Sequence, residues 1–170
     1  AVHYADFVKG DVTFNVNVPT VPAGGDLRLF GVATPDGTSY IRFSVGTTGT
    51  FFYAQASNGT TSTSVAVTWD STWTAANIDF RIIWEAGRAT FHINGTKVAT
   101  ISDDSVPYGP LSLSVSDNST SPMSFGTINV RGTQSYILNP KTSDTSATNG
   151  GALNRFDTVT IVENVALTIV

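Results

Sequence analysis

Apolar and polar residues alternate along most of this chain, a pattern typical of β-strands with one buried face. The clearest instance is IDFRIIW at 78–84, whose alternate apolar residues share one face: Ile78, Phe80, Ile82 and Trp84. The same period of two recurs in short segments separated by turns rich in Gly, Pro and Asn. No segment of helical length carries an apolar period of 3.6. The pattern therefore predicts an all-β domain of about ten short strands.

Two tight turns connect this strand to the two segments that follow it. Residues 85–88 (EAGR) form the first turn, and Asn94-Gly95 forms the second. A two-residue type I′ turn needs positive φ at both central positions, which Asn and Gly tolerate best. Residues 77–101 are therefore predicted to form a three-stranded antiparallel meander.

Further segments carry the strand pattern, and turn residues such as Pro35-Asp36-Gly37-Thr38 occupy the intervals between them. These segments lie at 11–18, 27–33, 39–46, 50–57, 65–69, 111–117 and 123–132. Many short strands at regular spacing are typical of an antiparallel β-sandwich.

The segment FRIIWEAGRATFHINGTKVATI at 80–101 also resembles a known family. It is similar to the corresponding segment of concanavalin A-like jelly rolls, closest to the laminarinase-like glycoside hydrolases and their non-catalytic LamG-type relatives. The order of elements matches over about residues 7–131. The resemblance implies a two-sheet antiparallel jelly-roll β-sandwich over residues 1–131.

The resemblance also locates the strand on which catalytic chemistry is expected. The laminarinase-like enzymes carry paired carboxylates on one strand, because glycoside hydrolysis needs two acids on either side of the scissile bond. By order along the chain that strand is 39–45 (SYIRFSV), which contains no Asp or Glu. Arg42 stands where an acid is expected. With only His3 and His92 as histidines and no Gly-x-Ser-x-Gly motif, the chain is predicted not to be an enzyme and to have no catalytic residue.

The C-terminal part lies outside the resemblance. Residues 132–154 are predicted to be a polar connection, and residues 155–170 an additional β-strand. The apolar residues of this predicted assembly strand are Phe156, Val159, Ile161, Val165, Leu167 and Ile169. An exposed strand of this kind promotes edge-to-edge association, so it is expected to pair either within its own sandwich or with a neighbouring subunit.

These features favour a non-enzymatic structural module, extracellular or on a virion surface. Such a module would self-assemble or decorate a larger particle or filament. The expected partners are copies of the chain or other surface or virion proteins. The missing acids, the low charge and the C-terminal strand carry this prediction.

The alternative function is glycan binding in an adhesion domain of the lectin-like kind. Sugars stack on aromatic rings, and amide and hydroxyl groups fix their orientation. Tyr40 and Arg42 are expected on the sheet face that forms the cleft in the related enzymes. The candidate glycan-binding residues are Tyr40, Arg42, Tyr53, Trp73 and Tyr108.

Two further kinds of site are suggested by the sequence. Asp103 and Asp104 are candidate ligands of a structural calcium, since calcium prefers oxygen ligands; the competing interpretation is a solvated acidic turn. Asn-x-Ser/Thr triplets begin at Asn58, Asn94 and Asn118. They are candidate sites of N-glycosylation; the competing interpretation is that they arise by chance in a Thr- and Asn-rich chain. No other cofactor is expected.

Composition excludes several function classes. The chain has 170 residues, of which 13% are charged, a net charge of −4 and no cysteine. Without a basic run, binding to nucleic acid through its phosphates is not expected. A disulfide framework is excluded, and no apolar run is long enough to span a membrane. The missing initiator Met suggests a processed protein or a fragment.

Overall fold

The computed structural model of this chain describes residues 7–19, 27–46, 51–117, 122–136 and 159–168. Within these ranges the backbone forms β-strands and one short 3-10 turn at Ser71–Trp73. The strands are β1 Phe7–Asn17, β2 Leu27–Ala33, β3 Ser39–Gly46, β4 Phe51–Asn58, β5 Ser62–Thr68, β6 Asn77–Glu85, β7 Arg88–Ile93, β8 Thr96–Ile101, β9 Ser112–Asp117, β10 Ser124–Tyr136 and β11 Val159–Thr168. None of the described residues belongs to a helix long and apolar enough to cross a membrane.

The strands form two antiparallel sheets. One sheet has six strands in the order β11-β10-β1-β6-β7-β8, and the other has five in the order β5-β4-β3-β2-β9. The alternation of buried and exposed residues gives each sheet an inner face directed at the other. The predicted two-sheet jelly-roll β-sandwich is confirmed.

Phenylalanine rings from both sheets pack in the centre of the sandwich. The ring centroid of Phe30 in β2 lies 5.1 Å from that of Phe80 in β6 and 5.5 Å from that of Phe14 in β1. These edge-to-face contacts join the two layers. They stabilise the fold by more than the burial of apolar area alone would. Because such large rings occupy the inner positions, the side chains available to a ligand lie on the outer faces and in the turns.

The meander of β6, β7 and β8 is formed as the sequence predicts. Asn94 and Gly95 both have positive φ, at 48° and 80°, as a type I′ turn requires. Gly87 in the preceding turn has φ of 71°. The meander lies at one edge of the six-stranded sheet.

The C-terminal strand pairs with β10 of the same chain. Val165 lies opposite Val130 and Leu167 opposite Ile128 in the antiparallel register. β10 continues to Tyr136, so the polar connection begins later than the predicted residue 132. Phe156 and Ile169, two of the predicted assembly residues, lie outside the described residues.

Candidate functional site

The outer face of the five-stranded sheet brings together three of the five predicted glycan-binding residues. Tyr40 and Arg42 in β3 and Tyr53 in β4 occupy positions that alternate with buried core residues. Gln55 and Phe51 share this face because they lie two residues on either side of Tyr53 in β4. We call this set of five residues the platform: Tyr40, Arg42, Phe51, Tyr53 and Gln55.

Arg42 is held at the centre of the platform by its neighbours. Its Cζ atom lies 3.6 Å from the centroid of the Tyr40 ring, a cation–π contact. Its Nε donates a 3.1 Å hydrogen bond to Oε1 of Gln55, which is its cross-strand partner. Gln55 Nε2 in turn donates to Oγ of Ser64 in β5 at 3.2 Å. These contacts restrict the guanidinium to one orientation before any ligand arrives.

The charge of Arg42 is partly desolvated. The side chain is half-buried, and this burial lowers the pKa of its guanidinium, while the electrostatic interaction with Tyr40 acts in the opposite direction. An arginine stays protonated under such conditions. The platform therefore presents a fixed positive charge.

Short side chains surround the platform. Gly31 in β2 lies opposite Arg42 in the register, and a Cβ atom built on it would lie only 2.2 Å from the carbonyl oxygen of Ile41. Serines or alanines occupy most other neighbouring outer positions. These are Ala33, Ser44, Ser57, Ser62, Ser64, Ala66, Ser112, Ser114 and Ser116. The long platform side chains therefore stand among short polar ones, and the exposed Phe51 ring, 43% accessible, is free to contact a ligand.

The structure does not bring the other two predicted glycan-binding residues to this face. Trp73 packs its ring against Phe52 and Trp69, with centroids 5.7 Å away in each case, and so it covers the core. Tyr108 is 66% exposed, and its hydroxyl lies beside Gly87 in the turn between β6 and β7. Neither residue therefore belongs to the outer-face set around Arg42.

Four features of this face are not among the sequence-based predictions: Gln55, Ser64, Phe51 and the close approach at Gly31. The period of two in TFFYAQAS places Phe51, Tyr53 and Gln55 on one face, so that signal was available. The contact of Gln55 with Arg42 and Ser64 depends on the registers of three strands, which the sequence pattern does not specify.

The candidate calcium ligands Asp103 and Asp104 form hydrogen bonds that stabilise a turn. Oδ1 of Asp103 accepts hydrogen bonds from N and Oγ of Ser105 at 2.9 and 2.5 Å, and Oδ2 accepts one from Thr63 Oγ1 at 2.9 Å. The bonds from Ser105 hold the pKa of Asp103 below its usual value. The backbone carbonyl of Asp104 accepts from Asn58 Nδ2 at 2.6 Å. Among the described residues, no group of three or more His, Cys, Asp or Glu is placed to hold a metal ion, and the calcium site stays a prediction.

The glycosylation triplets differ in their surroundings. The side chain of Asn58 is fully engaged, because its Oδ1 accepts from the N–H groups of Thr60 and Thr61 at 2.8 Å while Nδ2 donates to Asp104. Asn94 is exposed at the tip of a hairpin. Asn118 lies outside the described residues. Attachment of glycans at these positions stays a prediction.

The outer face of the six-stranded sheet is chemically different. Arg81 is paired with the carboxylate of Asp11 through two hydrogen bonds of 2.7 and 2.5 Å, and Asp79 accepts one from Asn15 at 2.7 Å. A groove of about 500 Å³ lies beside Asp11. It is lined by Lys9, Gly10, Asp11, Ile83, Trp84, Glu85, Arg88, Thr90, Arg131 and Gly132. Positive and negative groups are interspersed here, in contrast to the single charge of the platform.

Comparison with known proteins gives a fold and no family. No protein-family model matches the chain, and no curated protein sequence matches it. Solved structures do match. Sheep galectin-11, solved with glycerol, is 8% identical with a TM-score of 0.49, and the alignment covers 74% of this chain and 92% of that chain.

Two further solved structures match the chain. The Crh5 transglycosylase, solved with NAG, is 18% identical with a TM-score of 0.45, and the alignment covers 66% of this chain and 49% of that chain. The enzymatically active domain of Bacteriophage CBA120 tailspike protein 2 is 12% identical with a TM-score of 0.51, covering 78% of this chain and 23% of that chain. At 12% identity the likeness to the tailspike domain shows the jelly-roll β-sandwich fold alone.

The comparisons correct one prediction. The prediction that the chain is not an enzyme is wrong, because a domain that shares this fold, from the phage tailspike protein, is enzymatically active by name, so the fold does not support that exclusion. The lack of acids in 39–45 excludes one arrangement of paired carboxylates on that strand. It does not exclude enzymatic activity as a class.

Proposed function

We propose that this chain is a lectin-like, carbohydrate-binding module and that the platform on the five-stranded sheet is its binding face. One observation carries the proposal. Arg42 is fixed by Tyr40 and Gln55 on an outer sheet face that also exposes the aromatic ring of Phe51. This is the function that the sequence suggested as the alternative to a structural role.

The chemistry of the platform suits a sugar. A pyranose offers an apolar face for stacking on an aromatic ring and a rim of hydroxyl groups for hydrogen bonds. Phe51 and Tyr53 supply the rings, and Arg42, Gln55 and the surrounding serines supply donors and acceptors. Because all of these residues lie on paired strands, little conformational entropy is lost when a ligand binds.

The proposed setting is extracellular, on a cell surface or on a virion, where glycans are displayed. A self-assembling structural role rests on the missing acids and the low charge as well as on the C-terminal strand. The pairing of β11 with β10 in the same chain supports the use of that strand to complete its own sheet. Glycan binding is therefore the function proposed first.

A glycan array with the fluorescently labelled chain tests the proposal. We expect selective binding to a subset of saccharides, weakened about tenfold or more by Phe51→Ala or Tyr53→Ala, which corresponds to about 1.4 kcal/mol. Tyr108→Ala is the matched control, since it removes an exposed aromatic ring outside the platform. Binding that is absent, or that survives both platform changes, would overturn the proposal.

The same oligosaccharides are also analysed for products after incubation with the chain. Because enzymes share this fold, turnover that depends on the platform would identify the face as an active site. That result would replace the proposed function. Unchanged oligosaccharides together with platform-dependent binding would support a binding module.

A further inference from the structure

Arg42 differs from two other arginines of this chain in having no acidic partner among the described residues. Arg81 forms a two-bonded ion pair with Asp11, and the fully buried Arg28 lies 3.9 Å from the Asp117 carboxylate. Arg42 is half-buried, and yet its hydrogen bond and its ring contact within the described residues are to the neutral side chains of Gln55 and Tyr40. A partly desolvated cation without a counter-ion is unfavourable, and an anion placed beside it would relieve this.

The orientation of Arg42 leaves its best anion-binding atoms unused. Nε is engaged by Gln55, and one side of the guanidinium plane covers the Tyr40 ring. Within the described part of the chain, the two terminal nitrogens make no hydrogen bond to protein. A guanidinium presents its N–H groups as a planar fork that matches the two oxygens of a carboxylate or a similar oxyanion.

The described strands of this sheet carry no acidic side chain on the outer face that would repel an anion. At the outer positions of the described strands β2, β3, β4, β5 and β9, Arg42 is the one charged side chain. Serines occupy many of the remaining outer positions. The chain as a whole carries a net charge of −4, so general electrostatic attraction does not bring anions to it. Selectivity for an anion would therefore have to arise locally, at Arg42.

We propose that the platform binds saccharides that carry an oxyanion, either the carboxylate of an acidic sugar or a sulfate ester, with the Arg42 terminal nitrogens binding the oxyanion. Phe51 and Tyr53 would then contact the sugar ring. This inference rests on the proposed carbohydrate-binding function and specifies its ligand class. A purely structural role for Arg42 accounts for its contacts with Tyr40 and Gln55 but leaves its terminal nitrogens unused.

Matched oligosaccharides provide the test. An oligosaccharide containing a uronic acid is compared with the same molecule after reduction of its carboxyl group to an alcohol, and with a sulfated form of the neutral molecule. Titration calorimetry is expected to show at least one anionic form binding about tenfold or more tighter than the neutral one. If the uronic acid form binds more tightly, the oxyanion is a carboxylate. If the sulfated form does, it is a sulfate ester.

Two variants link this preference to Arg42. Arg42→Gln should bind the neutral and anionic forms equally. Gln55→Glu should do the same by placing a carboxylate of nearly unchanged shape beside Arg42, and it keeps the test valid if Arg42→Gln folds poorly. Arg88→Gln removes an exposed positive charge from the other sheet and is the matched control, with its preference unchanged.

The possible results distinguish an error in the ligand class from an error in the carbohydrate-binding function. Equal binding of neutral and anionic forms to the unaltered chain would overturn the inference and leave carbohydrate binding intact. A preference that persists in both Arg42→Gln and Gln55→Glu would also overturn it. If no saccharide binds, both proposals are overturned. This holds even if inorganic sulfate binds by itself.

Discussion

The Trp84 indole occupies the space in which a side chain at position 10 would lie. A Cβ atom built on Gly10 would be 2.7 Å from Cη2 of Trp84 and 2.8 Å from the carbonyl oxygen of Arg131. Gly10 and Trp84 are cross-strand partners in β1 and β6. The glycine therefore allows a 2%-exposed tryptophan to fit between β1 and the core.

Gly10→Ala should destabilise the fold. The added methyl group must displace either the indole or the backbone of β10, which is expected to lower the free energy of unfolding by about 1–3 kcal/mol. Urea unfolding followed by tryptophan fluorescence measures this change. Gly109→Ala is the control, because a Cβ atom there meets nothing within 4 Å. Equal stability of the two variants would contradict this account of Gly10.

Trp73 should matter for stability rather than for binding. Its ring packs against Phe52 and Trp69, so Trp73→Ala is expected to lower the free energy of unfolding by about 2–3 kcal/mol, less than for a fully buried tryptophan. Urea unfolding checks the loss. Trp73→Phe keeps an aromatic ring and should leave saccharide binding unchanged. A selective loss of binding in Trp73→Phe would return Trp73 to the list of ligand contacts.

Acid should weaken the turns that Asp36, Asp70 and Asp103 form. Hydrogen bonds from neighbouring Thr or Ser hold each folded-state pKa below the usual aspartate value of 3.8. The unfolded chain therefore takes up protons first, and the stabilisation present above pH 3.8 is lost as the pH falls through the lower folded-state values.

The urea midpoint measured at pH 7 and at several values below pH 4 checks this expectation for Asp103. Asp103→Asn keeps an acceptor oxygen but has no charge to lose, so its midpoint should decrease less on acidification. Asp104→Asn is the neighbouring control. If the variant and the unaltered chain follow the same acid dependence, Asp103 does not contribute to it.

Removal of the C-terminal strand should expose the edge of β10. A chain that ends at Asn154 lacks the backbone partner of residues 127–136, so we expect a lower melting temperature and concentration-dependent self-association. Calorimetry and light scattering measure the two effects. Thr127→Lys in the shortened chain should reduce association without restoring stability, since lysine at an edge discourages pairing. A native assembly that dissociates on truncation would instead support pairing between subunits.

Several features of this protein could be predicted from the sequence because they depend on residues close together in the chain. Alternation placed Ile78, Phe80, Ile82 and Trp84 on a buried face, and all four are buried. The Asn94-Gly95 pair predicted a type I′ turn, and the φ values agree. The side-chain period of a strand and the φ preference of a turn residue are local properties.

The candidate site could be predicted only in part, for the same physical reason. Alternation puts Tyr40 and Arg42 on one face of β3, but it does not distinguish a ring that faces outward from one that covers the core, as with Trp73. The adjacency of Asp103 and Asp104 in the sequence also does not reveal that Asp103 accepts a hydrogen bond from Thr63 in β5. The contacts of Trp73 with Phe52 and of Asp103 with Thr63 join residues that are far apart in the chain.

By itself, the sequence determined the strands, their turns and which residues of each strand share a face. The tertiary structure decided which strands are neighbours and in what register, and so it alone placed Gln55 between Arg42 and Ser64 and β11 beside β10. Register and strand order follow from the packing of the whole core and from closing long loops. The face around Arg42 is therefore a product of the assembled sandwich, although each of its strands is predictable alone.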